Sequence, residues 1–361
     1  MSTLDRYILQ TFARNLALVL VTLLSLYGLI EFLEKVDNLI EHQAGLKYYL
    51  LYPFYNLPVM ISNSLPMAVL LATFATIGGF SRTNQLTAML SGGLSYSRIS
   101  RSLFLGGLVL AALILVANLW LVPWSSRESN YLLRTEIAGK PSHSETGKDI
   151  YFRDGNRMIS VSEAFPAKGI VLDLTVLEFN EQFIPTRRIQ AEKALHEKNG
   201  QWLLMNVAIW DFSPETRAVG AFEKQSELRL DLKRQPTEML QLWDRPEDLT
   251  FSELRALTVK LQDEGYDSKP YQMETQLRFA RAAIPLIMVL VGIPFALQRG
   301  RNASFSFGVV ISLIIFAAYF VLDAIFAVFG AIAVLPPPVA AWAASILLAL
   351  IGTWLILRIQ S

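Results

Sequence analysis

The chain has 361 residues, of which 53% are hydrophobic and 17% are charged, and its formal net charge is +1 at pH 7. Its mean hydropathy of +0.37 is too high for a soluble domain of this length, so that class is excluded. The apolar residues are concentrated in runs, and a polar insert lies between two strongly apolar thirds.

Six apolar runs approach the ~20 residues that an α-helix needs to cross ~30 Å of hydrocarbon. Because a bilayer core offers no water to unpaired backbone groups, we expect each run to be a helix. The predicted spans are Leu16 to Ile30 (extending towards Leu33), a span within Leu50 to Phe80, Leu103 to Trp124, Phe279 to Leu297, Phe305 to Phe329 and Val339 to Leu357. They predict two membrane domains, 1–124 and 271–361, around an inserted domain, 125–270.

The short loops predict the orientation of the chain. The linker Ser81 to Ser102 and the loop Gln298 to Asn302 contain arginines and no acidic residue, whereas the loop after the first span is mixed in charge. The positive-inside rule therefore places both termini in the cytoplasm and the insert outside. The absence of cysteine is compatible with an oxidising compartment there. No small-x-small cleavage site follows the first span, so we expect an uncleaved anchor.

Two segments of residues 1–124 carry further local signals. Leu4 to Leu16 is typical of a short amphipathic helix at the inner leaflet, and the alternative is that it begins the first span. Pro53, Pro58 and Pro66 predict kinks or a break in the second span, since each removes a backbone donor.

The linker after the second span is a candidate coupling helix, at about residues 81–97. Its apolar residues recur at helical spacing, and its polar residues gather at the N-terminal end. Such a helix either lies on the lipid surface or docks into a groove on a cytoplasmic partner, and the pattern leaves both possibilities open. The residues assigned to coupling are Arg82, Asn84, Gln85, Leu86, Met89, Leu90, Ser91 and Gly92.

The insert is predicted to be an antiparallel β domain, either a sandwich or a jelly roll. Alternating segments flank two hairpin signals, Asp154-Gly155-Asn156 and Asn199-Gly200. The expected strands are Asp149 to Arg153, Met158 to Val161, Ile170 to Phe179, Ile184 to His196, Trp202 to Phe212 and Ala221 to Leu232. Apolar members that could line a groove or fill the core are Val171, Leu174, Val176, Leu203, Met205, Val207 and Ile209.

The charge of residues 125–270 limits their ligands. They contain 20 Lys and Arg against 24 Asp and Glu, a balance that argues against a nucleic acid partner. Near their C-terminal end, Thr250-Phe251-Ser252-Glu253 predicts a capping box that starts a helix running to Glu264 and ending at Gly265.

Charged residues at the outer ends of two spans are candidate substrate ligands. Glu274, Arg278 and Arg281 share one helix face, where they either snorkel as an ion pair or bind the phosphates of an amphiphile. Asp323 lies inside the fifth span, where an ionisable group is costly unless it faces a cavity or a partner.

The chain lacks the common nucleotide and catalytic motifs. It contains no G-x-x-x-x-G-K-[ST] loop and no G-x-S-x-G elbow, and its three histidines show no metal-ligand spacing. We therefore expect no catalysis and no cofactor, and any powered transport must use a separate ATPase.

Several short segments, in this order and spacing, resemble the LptF/LptG (YjgP/YjgQ) family of lipopolysaccharide-export ABC permeases. They are Leu4-Asp5-Arg6-Tyr7-Ile8, Asn84-Gln85-Leu86-Thr87-Ala88-Met89 with Ser91-Gly92, Arg281 to Leu286, and Tyr319-Phe320-Val321-Leu322-Asp323 followed by Pro336-Pro337-Pro338. The opening segment is more similar to the LptG branch than to the LptF branch.

The resemblance implies an inner-membrane ABC exporter half with a periplasmic jelly roll that passes lipopolysaccharide to a bridge protein. It implies an LptF-like permease partner, an LptB-like ATPase dimer docked on the coupling helix, and an LptC-like single-span protein. Spans one and five of both permeases would line the cavity. Gln85 stands where the family usually has a glutamate that pairs with the ATPase. Glu31 stands near a lipid-binding basic position of the family, so Lys35 is the nearest substitute.

Two alternatives to lipopolysaccharide export follow from the same residues. One is an ABC exporter subunit for another lipidic cargo, such as lipoprotein. The other is a non-transporting membrane scaffold that displays a β domain. An ATPase that co-purifies with the chain distinguishes transporters from a scaffold, and the co-purified lipid distinguishes the cargoes.

Overall fold

The computed structural model describes residues 3–42, 44–137, 147–165, 168–180, 182–197, 201–212, 219–232, 245–263, 268–298, 305–332 and 334–360. The chain forms two compact units. Met1–Leu132 and Pro246–Ser361 make up a helical unit, and Leu133–Arg245 make up a β unit.

Nine α-helices are described. They are α1 (Thr3–Glu41), α2 (Leu46–Arg82), α3 (Gln85–Ser91), α4 (Tyr96–Val116), α5 (Val122–Tyr131), α6 (Phe251–Asp263), α7 (Lys269–Gln298), α8 (Phe305–Ala331) and α9 (Pro337–Gln360). Residues Ala117–Leu121 and Leu132–Ile137 are π-helical, and Pro246–Asp248 form a 3-10 turn. Six helical segments are long and apolar enough to cross a membrane: α1, α2, residues 96–137, α7, α8 and α9. The six predicted spans are therefore confirmed.

Helix α1 is continuous over 39 residues, so Leu4 to Leu16 form the beginning of the first span rather than a separate surface helix. Ile8 and Phe12, on this first part of α1, are buried in the helical core. Helix α2 likewise continues through Pro53, Pro58 and Pro66, and the break considered for this span is absent from the described helix.

Helices α2 and α7 form the centre of the helical unit. A Cβ added at Gly292 of α7 would lie 3.0 Å from Cγ2 of Thr73 in α2, and one added at Gly107 of α4 would lie 3.1 Å from Cγ2 of Val289 in α7. Small residues at these positions let the helix backbones approach closely, which is how membrane helices gain packing contacts.

The β unit contains one described sheet of six strands in sequential antiparallel order. The strands are β1 (Gly147–Asp154), β2 (Arg157–Phe165), β3 (Ile170–Phe179), β4 (Pro185–His196), β5 (Trp202–Phe212) and β6 (Val219–Leu230). The antiparallel sheet between the third and fourth spans is confirmed. The described strands form a meander rather than two separate sheets, because each pairs with its neighbours in sequence. Gly155 has a φ of +58°, as the predicted hairpin requires, whereas Asn199-Gly200 and Glu264-Gly265 lie outside the described residues.

One row of the sheet is unpaired in every ladder. Cα pairing stops at Leu172–Lys193 and resumes at Leu174–Ala191, and the other ladders skip the same row without changing register. Asp173 (φ +48°) and Asn206 (φ +53°), in this row, adopt left-handed backbone, which these residue types tolerate better than most. We call this row the crease.

The crease changes which residues face the buried side. Trp202 and Leu204 are buried before it on β5, and Val207 and Ile209 are buried after it, so the spacing passes from two to three and back. Leu203 and Met205 are half-buried, because the alternation expected along β5 shifts by one residue at Asn206.

Candidate functional site

The coupling helix is short and has defined ends. Helix α2 runs to Arg82, Asn84 adopts left-handed backbone, and α3 occupies Gln85–Ser91. At its C-terminal end, the Leu94 amide donates to the Met89 carbonyl (3.1 Å) and the Gly93 amide donates to the Leu90 carbonyl (3.0 Å). These bonds form a Schellman motif with Gly93 at φ +82°. The glycines therefore end the helix earlier than residue 97.

The apolar side chains of α3 face the interior of the chain. Leu86 is 6% exposed and belongs to the core of the helical unit, and Met89 and Leu90 are partly buried against that core. This corrects the expectation that Leu86 fills a groove on a partner. The side chains or backbone that α3 and its caps leave exposed are those of Arg82, Asn84, Thr87, Ala88, Ser91 and Gly92.

The Gln85 side chain accepts a hydrogen bond from the first turns of α1. The Tyr7 hydroxyl donates to Gln85 Oε1 at 3.0 Å, and the Tyr7 ring stacks on Phe80 at 5.7 Å between centroids. Nearby, the Asp5 carboxylate pairs with Arg98 and accepts from Ser102. Sequence analysis missed these contacts, since they join residues that are more than 70 positions apart.

Arg278 is a structural residue rather than a lipid ligand. Its side chain is 3% exposed and lies 3.2 Å from Glu274 Oε1, and its Nη2 donates to the carbonyls of Pro246 (3.0 Å) and Glu247 (3.3 Å). Burial of the guanidinium among these acceptors leaves it inaccessible to a phosphate. Residue spacing predicts the i,i+4 pair with Glu274, but no sequence pattern indicates the contact with the 3-10 turn.

Arg281 and Asp323 lie on different helices, within range of an electrostatic interaction. The Arg281 side chain is 48% exposed and lies 3.8 Å from Glu274, and it interacts electrostatically with Asp323 of α8. Asp323 is half-buried and accepts a 3.4 Å hydrogen bond from Tyr319. Of the two arginines predicted on this face, Arg281 is the one that solvent or a ligand reaches.

Glu31 and Lys35 lie one turn apart on α1, and both are half-buried. The Tyr52 hydroxyl of α2 donates to Glu31 Oε1 at 2.5 Å. Because this acceptor is engaged by a charge-assisted bond, Glu31 fixes α1 to α2 at the end opposite α3. The aromatic partner on α2 was not predicted.

The apolar surfaces of α1 and α8 are largely bare. In the most apolar 18-residue segment of α1 no residue is buried, and in that of α8 11% are. The same measure is 17% for residues 96–137 and 61% for both α2 and α7. Large apolar side chains such as Leu29 on α1 and Phe320 on α8 are more than half exposed.

A surface polar network holds the segment that follows residue 245. The Ser126 hydroxyl and the Asn130 amide donate to Asp248 (2.6 and 3.1 Å), and Arg127 pairs with Glu253 at 2.8 Å. The predicted capping box is present, with the Thr250 amide donating to Glu253 at 2.8 Å. Burial alone raises the pKa of Glu253, but the bonds from Thr250 and Arg127 outweigh it and lower this pKa.

Two helical segments with three candidate membrane spans each, and an antiparallel sheet between them in the chain, define a polytopic membrane protein with an inserted β domain. Among the described residues, no group of three or more His, Cys, Asp or Glu side chains is placed to hold a metal ion. The family model "Lipopolysaccharide export system permease LptF/LptG" matches residues 6–358. The chain therefore belongs to the LptF/LptG family of permeases, and it is a multi-pass inner-membrane protein.

Individual relatives agree with the family. The chain is 22% identical over 357 residues to the lipopolysaccharide export system permease protein LptG of Escherichia coli strain K12, and this match covers 98% of both chains. It is 22% identical over 207 residues to the protein of the same name from Haemophilus influenzae, over 57% of both chains. The similarity to LptG predicted from the opening segment is confirmed.

Proposed function

We propose that this chain is the permease subunit of an ABC exporter that extracts lipopolysaccharide from the inner membrane and passes it to a periplasmic bridge. A cytoplasmic LptB-like ATPase dimer supplies the energy, an LptF-like subunit is the permease partner, and an LptC-like protein contributes a single span. In this topology both termini are cytoplasmic and the β unit is periplasmic.

The bare faces of α1 and α8 are the observation that carries this proposal. A soluble or fully self-contained helical bundle would bury these helices as it buries α2 and α7. Helices with long apolar surfaces and little internal packing suit a cavity that is completed by a second permease and filled by acyl chains. Spans one and five of the two subunits would then line this cavity.

Charged residues near the outer ends of α1, α7 and α8 suit a phosphorylated amphiphile. Arg281 offers a half-exposed guanidinium, and guanidinium groups bind phosphate bidentately. Lys35 offers an ammonium group on α1. Glu31 and Asp323 lie beside these cations and are engaged by Tyr52 and Tyr319, so they orient the site rather than bind phosphate themselves.

The exposed polar side of α3 is the proposed surface for the ATPase. Since Leu86 is held in the core, the contact would be made by Arg82, Asn84, Thr87, Ala88 and Ser91. These groups are small or hydrogen-bonding, and they favour a close polar contact. Gln85 is hydrogen-bonded to Tyr7 of α1 and so holds the N-terminal end of α3 in place behind this surface.

The buried side of the creased sheet is the proposed path for acyl chains. Leu174, Val176, Leu204 and Val207 lie on this side and are at most 1% exposed, so acyl chains would bind there by displacing the contacts that cover these side chains. An apolar strip bounded by polar strand faces would hold acyl chains and leave the sugars in water.

Reconstitution tests the proposal. The chain is co-expressed with the permease and the ATPase of its host, purified in detergent and placed in proteoliposomes, and lipopolysaccharide release to a soluble acceptor is measured with and without ATP. We expect the ATPase to co-purify and release to require ATP. Arg281→Glu should lower the co-purified lipopolysaccharide at least tenfold, because a charge-assisted contact contributes about 1.5 to 3 kcal/mol.

Arg255→Glu is the matched control, since Arg255 is an exposed arginine of α6 outside the proposed site. Release that proceeds without ATP, or a complex without an ATPase, would contradict the exporter. An equal lipid load in the Arg281 and Arg255 variants would remove Arg281 from the site.

A further inference from the structure

The first two turns of α1 contact the first residue of α3 and, further along the chain, the beginning of α4. Tyr7 bonds Gln85, the first residue of α3. Asp5 lies 3.4 Å from Arg98 Nη2 and accepts a 2.8 Å hydrogen bond from Ser102, both in α4 beyond the loop. These bonds join α1 to both ends of segment 83–95.

Apolar packing reinforces the polar contacts. Ile8 is fully buried and Phe12 is nearly so, and a Cβ added at Gly106 of α4 would lie 3.1 Å from Leu9 Cδ2. The Tyr7 ring stacks on Phe80 in the last turns of α2. The beginning of α1 therefore packs against the end of α2, against α3 and against the first half of α4.

Helix α1 is suited to carry a displacement along its length. It has 39 residues without proline, so it is roughly 58 Å long at 1.5 Å per residue. Its far end carries Glu31 and Lys35. A rotation or shift of α3 would be passed to α1 at Tyr7, and a shift of the beginning of α4 would be passed to α1 at Asp5, whereas a free N-terminus would let both move alone.

We propose that Tyr7 and Asp5 are positioning residues that fasten α1 to α3 and to the beginning of α4, respectively, so that a nucleotide-driven movement of α3 together with the beginning of α4 moves the first span and the lipid site on it. The inference rests on the proposed function, because it requires an ATPase that moves α3. It adds that the first span is driven directly through its own N-terminal turns. The structural basis is one ion pair, two hydrogen bonds and one ring stack.

A charge exchange tests the fastening. Asp5→Arg and Arg98→Asp each place like charges against one another, and the double variant restores an opposite pair with reversed polarity. We expect each single variant to retain the bound ATPase but to release about threefold to fivefold less lipopolysaccharide per ATP hydrolysed, the scale of a partly exposed pair replaced by repulsion. The double variant should recover at least half of the loss.

The natural absence of cysteine permits a second test that does not depend on charge. Asp5→Cys with Ser102→Cys removes the polar contacts, and a short bis-methanethiosulfonate reagent then joins α1 to α4 by forming a disulfide with each cysteine and releasing methanesulfinate. We expect the reduced protein to be uncoupled and the cross-linked protein to regain release per ATP. Tyr7→Phe keeps the ring stack and loses the bond to Gln85, so its release should fall about twofold.

The results separate the two proposals. If the unmodified complex shows no ATP-dependent release, the proposed function fails and the fastening fails with it. If the unmodified complex is active and the single charge variants keep normal release per ATP, the fastening alone is overturned. A cross-linked protein that stays uncoupled would also overturn it, because a covalent joint should replace the ion pair.

Discussion

Helices α2 and α7 differ from α1 and α8 in what their surfaces contact. In the most apolar 18-residue segments of α2 and α7 61% of the residues are buried, and these helices also bury polar groups such as Thr73, Glu274 and Arg278. The corresponding segments of α1 and α8 bury none and 11% of their residues. The contrast indicates that the chain's internal stability resides in the first pair, whereas the second pair is available to lipid or to a second permease.

The largest effect on stability is expected from a substitution of Arg278, which is buried in the well-packed helix α7. Arg278→Ala leaves Glu274 and two backbone carbonyls without their donor, and loss of one partner of a buried ion pair costs about 3 to 5 kcal/mol. Thermal unfolding of the purified protein in detergent measures this loss.

Arg281→Ala is the matched control for that experiment, because Arg281 shares the same glutamate but is half exposed. The free energy of unfolding of this variant should change by no more than an ordinary surface substitution changes it, about 0.5 kcal/mol. Equal losses in the two variants would show that Arg278 is not the structural member of the pair.

A smaller effect is expected where α7 meets α2. Gly292→Val adds side-chain atoms at a position whose Cβ would already lie 3.0 Å from Thr73 Cγ2, and overpacking of this kind costs about 1 to 3 kcal/mol. Gly78→Val is the control, since a Cβ at Gly78 meets nothing within 4 Å. Similar unfolding midpoints for the two variants would contradict the close approach of α2 and α7.

The smallest effect is expected at Glu253, on the surface. Because its pKa is lowered in the folded protein, the carboxylate stabilises the fold above its unfolded pKa, and this stabilisation is lost as the pH falls through the lowered value. Glu253→Gln should therefore lose at most about 1 kcal/mol at neutral pH, as expected for a cap, and should unfold less pH-dependently below pH 4.5. An unchanged acid dependence of the midpoint would remove Glu253 from the capping box.

Sequence patterns predicted the elements well because their signals are local. Hydrophobic run length gave the six spans, and alternation with a Gly155 turn gave the strands. The same alternation failed at Asn206, where left-handed backbone in the crease shifts the buried positions by one residue. A local hydrophobic pattern does not predict such a shift. It also does not distinguish a single meandering sheet from a sandwich of two sheets.

The candidate site was less predictable, because contacts between distant residues decide exposure. Leu86 fits an amphipathic surface helix by spacing, but its side chain is buried in the hydrophobic core of the same chain. Arg278 and Arg281 look equivalent on one helix face, and the turn at Pro246 makes one of them structural. The spacing of the residues predicts neither the burial of Leu86 nor the difference between the two arginines.

The central claim is that lipopolysaccharide lies against the bare faces of α1 and α8. A photocrosslinking residue is placed at Leu29 on α1, at Phe320 on α8 and at Leu350 on α9, all of which are more than half exposed, and adducts are measured in cells with and without a functional ATPase. We expect lipopolysaccharide adducts at Leu29 and Phe320 that change with ATPase function, and few at Leu350. Equal adducts at all three positions, independent of the ATPase, would contradict it.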